Sequence, residues 1–285
     1  MSKPAICHKC RKLIGIAKIC PYCFAVQSGP TSWLSSLKRT IGQLFKNNWQ
    51  DSFTSRVLMI TVIMFIIELL ATLILAPTYF FQALLVGPRG DIIMALGASS
   101  PMVFRGHWWS PLTAIFLHGG VIHLGFNLMA LSFIAQAIER ISTAWFFVFT
   151  YLISGALGFL LSAAMNQPSI GASGALFGLI GCGMVISYLL GLGKNDPMFV
   201  MLLNWAIMGL LFGFVVPGID NWAHIGGLVG GAGCGWLWSK FYRVKAFKKA
   251  VMWLAFLLCL ATAVGWVTSI ITFFPILFPQ ASVSL

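Results

Sequence analysis

The sequence predicts an all-α, polytopic membrane protein. Three observations carry that expectation: 59% of the 285 residues are hydrophobic, only 8% are charged, and the apolar residues fall in long runs. Soluble domains carry roughly 25% charged residues, so a water-soluble globule is excluded. A spanning helix needs about 20 mainly apolar residues to cross roughly 30 Å of hydrocarbon. Runs of that kind occupy residues 56–76, 117–138, 144–165, 172–192, 197–216, 221–238 and 251–274, giving seven expected spans.

The residues before the first span divide in two. Residues 1–27 hold Cys7 and Cys10 in CHKC and, nine residues later, Cys20 and Cys23 in CPYC. Four thiolates in two such knuckles can present a tetrahedral set to Zn²⁺, and so small a segment has too little apolar surface to fold without a staple. The interval between the pairs is shorter than in common zinc ribbons, so the module reads as a compact variant with structural Zn²⁺. The alternatives are disulfides, disfavoured in a reducing compartment, or a disordered basic tail. The module is also a candidate docking site for a cytoplasmic partner. Residues 28–55 read as a polar linker whose WLSSLKRTIGQLF stretch can rest on a membrane surface. No apolar h-region precedes the first span, so no cleavable signal peptide is expected.

Charge sets the expected orientation. The chain has 18 Lys and Arg against 6 Asp and Glu. With the N-terminus cytoplasmic, every base except Arg89 and Arg105 falls on the cytoplasmic side, which satisfies the positive-inside rule. That placement accounts for the basic balance without nucleic acid as a partner, puts the tail at 276–285 outside, and suits a prokaryotic plasma membrane. Residues 77–116 then form an external loop, with Trp108 and Trp109 expected at the interface.

Polar groups inside spans are costly and mark candidate functional sites. They are Glu68 in the first span, His118, His123 and Asn127 in the second, Ser173 in the fourth and His224 in the sixth. Spans two, four and six run in the same direction, so all but Glu68 are expected at one depth near the external face. Glu68 is assigned no role. Ser173 lies in GASGALFG, where Gly171 and Gly174 are expected to leave room for a substrate backbone and for an oxyanion at a helix N-terminus. A serine needs a base, and His224 lies in AHIGGLVGG. Gly227 and Gly231 on that helix, facing Gly174 and Gly178, would permit the close approach that a Ser–His hydrogen bond requires. Asp220 is the nearby acid, but it falls in the preceding loop, so a dyad is expected rather than a triad. His123 and Asn127, at i and i+4, share one helical face and can both donate to an oxyanion. A metal at these histidines is disfavoured, since no carboxylate or HExxH pattern accompanies them. Cys182, Cys234 and Cys259 stand singly in spans and read as buried packing.

Taken together, GASG, AHIGGLVGG and His-x₄-His-x₃-Asn resemble the rhomboid family of intramembrane serine proteases, over residues 56–274. The resemblance implies a six-helix core with a seventh, C-terminal span, here a domain at 56–275. It implies Ser173 as nucleophile and His224 as general base, with His123, Asn127 and the Ser173 N–H forming the oxyanion hole and His118 supporting it. It further implies that Phe177 packs on the base histidine, that Glu139 closes the second helix, and that substrate enters between spans two and five beside Phe126. The chain departs from the family at Trp109-Ser110, where Trp-Arg is usual. The implied activity is hydrolysis of peptide bonds in or beside transmembrane segments of single-span membrane proteins, with no cofactor for catalysis. The alternative is an inactive rhomboid-like protein that binds transmembrane helices. A transporter would show inverted repeats and interrupted helices, and none is visible.

Overall fold

A computed structural model describes residues 52–99 and 101–277, together with two short strands, β1 (Ala5–Ile6) and β2 (Leu13–Gly15). The strands pair antiparallel on either side of the CHKC string. Cys7, Cys10, Cys20 and Cys23, and the linker before Ser52, lie outside the described residues. Among the described residues everything else that is regular is helical, apart from a single bridge between Ser99 and Ser169.

Helix α1 (Phe53–Leu75) starts where Glu139, at the far end of a neighbouring helix, accepts the Thr54 N–H and the Ser52 hydroxyl, both at 2.9 Å. Glu139 was expected to close its own helix; it instead satisfies orphan donors at the start of α1, where a negative charge also complements the helix dipole. Residues 77–116 were expected to be a loop. They fold into short helical pieces: α2 (Phe80–Leu85), α3 (Gly90–Ala95) and α4 (Ser110–Thr113), with single 3₁₀ turns at Pro77–Tyr79, Pro101–Arg105 and Ala114–Phe116. Within them Trp108 is exposed, but Trp109 is buried. Its ring stacks on His107, and Gly265 leaves the room it needs, since a methyl there would stand 2.6 Å from the Trp109 Cβ.

The second span is α5 (Val121–Ile141), four residues later than expected, so His118 precedes the helix rather than starting it. Then follow α6 (Ala144–Ala164), capped by the Thr143 hydroxyl, α7 (Ser173–Leu190), α8 (Pro197–Val215), capped by Asp196, α9 (Asn221–Phe241), capped by Asp220, and α10 (Lys245–Leu277). Among the described residues six helices, α1, α5, α6, α7, α8 and α10, are long and apolar enough to cross a membrane, where seven spans were expected. Helix α9 has the length but is diluted by glycine and by Asn221 and His224. It packs on α7 and α6 through its small residues, while Trp222, Val229, Trp236 and Phe241 on its other side stay exposed.

Glycine makes that centre possible. A methyl at Gly227 would lie 2.0 Å from the Gly174 carbonyl oxygen, one at Gly231 1.8 Å from that of Gly178, and one at Gly226 2.9 Å from the Gly158 Cα. Backbone therefore meets backbone along α9, as small residues allow between helices in lipid. The space at Gly174, expected to receive substrate, faces Ala223 of α9, whose carbonyl oxygen would lie 3.3 Å from a methyl there. By contrast α8 buries only Met198, Leu202 and Ala206, one stripe at four-residue spacing, and most of its surface is open. Cys182 and Cys234 are buried as expected, whereas Cys259 is exposed on α10.

Candidate active site

Ser173 is the first residue of α7, and Ala172 before it provides no side-chain cap. The opening N–H groups of this helix have no intrahelical acceptor and remain available to a ligand. The approach to Ser173 is held by backbone bonds: Gly171 N–H to Ala114 O at 2.9 Å, and the reciprocal Ser99 and Ser169 pair at 3.1 and 2.9 Å. His224 lies in the first turn of α9, whose start is fixed by Asp220 accepting from the Trp222 and Ala223 N–H groups. The glycine contact between α7 and α9 brings the two side chains together, with His224 Nε2 2.9 Å from Ser173 Oγ. Phe177, one turn after Ser173, stacks on the imidazole with ring centroids 4.2 Å apart and planes 12° from parallel. Phe177 in turn fits over Gly209 of α8, where a methyl would stand 2.6 Å from its Cζ.

The other ring nitrogen has a partner that the sequence reading missed. His224 Nδ1 lies 3.3 Å from Asn221 Oδ1. An amide oxygen accepts only, so this contact puts the proton on Nδ1 and leaves Nε2 free to take one from Ser173. The Asn221 amide also donates to the Leu210 carbonyl of α8 at 3.3 Å, and it fills the space that Gly213 leaves open. A signal was present: Asn221 precedes His224 by three residues and therefore shares its helical face. Asp220, the acid weighed for that role, is occupied as a cap.

The second-span residues gather on the opposite side of Ser173. Gly171 has φ +118°, and a methyl on it would lie 2.7 Å from His123 Cε1, 2.8 Å from His123 Nε2 and 3.9 Å from Asn127 Nδ2. Both nitrogens thus line the strip of backbone that leads into Ser173. Asn127 donates one amide hydrogen to the His123 carbonyl at 3.0 Å and keeps a second. His118 is fully buried and does not touch the dyad; its Nδ1 lies 3.2 Å from Phe116 O and its ring 5.2 Å from that of His123. Phe126 on α5 meets Phe212 on α8 at 6.2 Å, each half exposed. Among the described residues no group of three or more His, Cys, Asp or Glu is placed to hold a metal ion.

Such an arrangement can activate a hydroxyl and bind a developing oxyanion beside it. Residues 105–241 match the Rhomboid domain, a stretch that contains every residue named above from His107 to Asn221 and His224. The chain is 37% identical over 148 residues to the rhomboid protease GluP of Bacillus subtilis (strain 168), covering 50% of this chain and 28% of that protein. It is 34% identical over 134 residues to Rhomboid-type serine protease 2 of Emericella nidulans, covering 45% and 26%. RHOMBOID-like protein 4 of Arabidopsis thaliana is 33% identical over 215 residues, covering 67% of this chain and 53% of that protein. The matched region thus spans between about a quarter and about half of these relatives. The matches support the rhomboid family.

Proposed function

We propose that this chain is a rhomboid-type intramembrane serine endopeptidase that cleaves membrane proteins in or beside a transmembrane segment. The observation that carries the reading is the 2.9 Å contact between Ser173 Oγ and His224 Nε2, with the His224 Nδ1 proton held by Asn221. Ser173 attacks the scissile carbonyl as His224 takes its proton. The oxyanion that forms is received by His123 Nε2–H, Asn127 Nδ2–H and the Ser173 N–H at the start of α7. The imidazolium then protonates the leaving amine, and water hydrolyses the acyl-enzyme by the reverse proton path. A helical amide is hidden by its own hydrogen bonds, so the substrate has to unwind locally before attack. The thinly packed α8 and the Phe126–Phe212 contact support entry of substrate between α5 and α8. In the proposed orientation the N-terminus is cytoplasmic and Ser173 faces the external side. The four N-terminal cysteines are proposed to hold structural Zn²⁺, on the chemistry of two Cys-x₂-Cys pairs alone. Zinc content that survives gel filtration in the full chain and falls in Cys7→Ser tests this.

The protease reading is tested by incubating a panel of single-span proteins with wild type, Ser173→Ala and His224→Ala in proteoliposomes and weighing the fragments. Cleavage near one membrane boundary, abolished in both variants, is expected. Persistence of the same cuts in Ser173→Ala refutes the reading.

A further inference from the structure

Glu68 is a fully buried carboxyl in α1 to which the chemistry above gives no task. Both of its oxygens accept the backbone N–H of His118, at 3.1 and 3.2 Å. The next residue, Gly119, donates its own N–H to His123 Nδ1 at 3.1 Å. A neutral imidazole that accepts at Nδ1 carries its proton on Nε2, and Nε2 is the His123 nitrogen beside Gly171.

The segment that makes this connection is held from two sides. Besides Glu68, the backbone at the end of α2 approaches it closely: a methyl at Gly87 would lie 2.9 Å from the Gly119 Cα, and one at Gly120 2.3 Å from the Leu85 carbonyl oxygen. Gly87 and Gly120 have φ of +118° and +93°, conformations that a side chain would strain. The peptide plane between His118 and Gly119 is thus set between an acceptor on α1 and a steric stop after α2. Two oxygens straddling one N–H restrict its sideways movement more than a single acceptor would.

We infer that Glu68 is a positioning residue for the oxyanion hole: by holding the His118–Gly119 backbone it presents the Gly119 N–H to His123, and so fixes the tautomer whose Nε2–H faces the reacting carbonyl. The inference rests on the serine-protease reading. Glu68 itself touches neither substrate nor dyad. Its effect therefore passes through His123, which makes it separable from a general contribution to folding.

The test is a cycle in the reconstituted full chain, with kcat and KM measured separately and thermal unfolding recorded for each protein. Glu68→Leu is expected to lower kcat by about 10- to 100-fold, less than or equal to the loss of one oxyanion donor, with KM unchanged. Glu68→Gln keeps one acceptor oxygen and is expected to retain most of kcat. On a His123→Ala background neither change should lower the residual kcat further. Equal losses with and without His123, a Gln variant no better than Leu, or wild-type kcat in Glu68→Leu each overturn the inference. Should Glu68→Leu fail to fold, Glu68→Gln in the two backgrounds decides: a small loss confined to the His123 background supports it, and equal losses overturn it. A wild type inert toward every substrate and toward a serine-directed phosphonate overturns the protease reading and this inference with it. An active wild type with indifferent Glu68 variants overturns this inference alone.

Discussion

Replacing Gly227 with alanine asks whether backbone contact between α7 and α9 sets the dyad distance. The added methyl would stand 2.0 Å from the Gly174 carbonyl oxygen and 2.8 Å from its carbon. These are backbone atoms one residue from Ser173, so no side chain can swing aside. Ordinary contact begins near 3.4 Å, which requires the helices to part by about 1.4 Å. His224 lies three residues before Gly227 on the same helix, so the 2.9 Å bond to Ser173 opens to about 4 Å, beyond hydrogen-bond range. A misplacement of that size costs about 10²-fold in rate, and overpacking of this kind costs about 1–3 kcal/mol of stability. The control is Gly233→Ala on the same helix, where nothing lies within 4 Å of the new methyl. Helix propensity favours alanine there by about 1 kcal/mol, so no loss is expected. Initial cleavage rates in proteoliposomes and thermal unfolding in detergent read both variants. Wild-type kcat in Gly227→Ala, or an equal loss in Gly233→Ala, would refute the reasoning.

Two further outcomes follow from single contacts. Asn221→Leu removes the acceptor that holds the His224 Nδ1 proton; a net hydrogen bond of about 1 kcal/mol corresponds to roughly fivefold in kcat. An effect confined to KM would argue against a role through the imidazole. At the other end of the bundle, burial acts to raise the Asp196 carboxyl, but hydrogen bonds from the Ser187 hydroxyl and the Leu192, Met198 and Phe199 N–H groups outweigh it and hold the group below its usual range. A depressed folded-state value means that this contribution is present above the unfolded value, about 3.9, and is lost as pH falls through the lower folded one. Asp196→Ala should therefore cost about 1 kcal/mol at neutral pH, as for a helix N-cap, and the difference in melting temperature should narrow below the unfolded pKa. Melting curves that stay parallel down to strongly acid pH would count against it.

Much of the bundle and the pairing at its centre was legible in the primary structure. Apolar length places α1, α5, α6, α7, α8 and α10, because a bilayer admits few other solutions. The glycine spacing in AHIGGLVGG foretold the backbone contact that joins His224 to Ser173, since only residues without side chains allow it. Other features were out of reach because they depend on partners distant in the chain. Trp109 reads as an interfacial residue until Gly265, 156 positions on, is seen to make room for it. Glu139 reads as the end of its own helix until Thr54 and Ser52 arrive beside it. Gly174 reads as space for substrate until Ala223 of α9 is seen to face it.

By itself, then, the sequence determined the helical, membrane-spanning class of the protein, six of the seven apolar segments expected from it, and the glycine pairing that brings Ser173 and His224 together, because hydrophobic length and small-residue spacing are local quantities. Tertiary structure alone decided what holds those side chains in place: Asn221 on His224, Gly119 on His123, and Glu68 behind them. A hydrogen bond is made or lost within a few tenths of an ångström, and distances on that scale are set by how whole helices seat against one another.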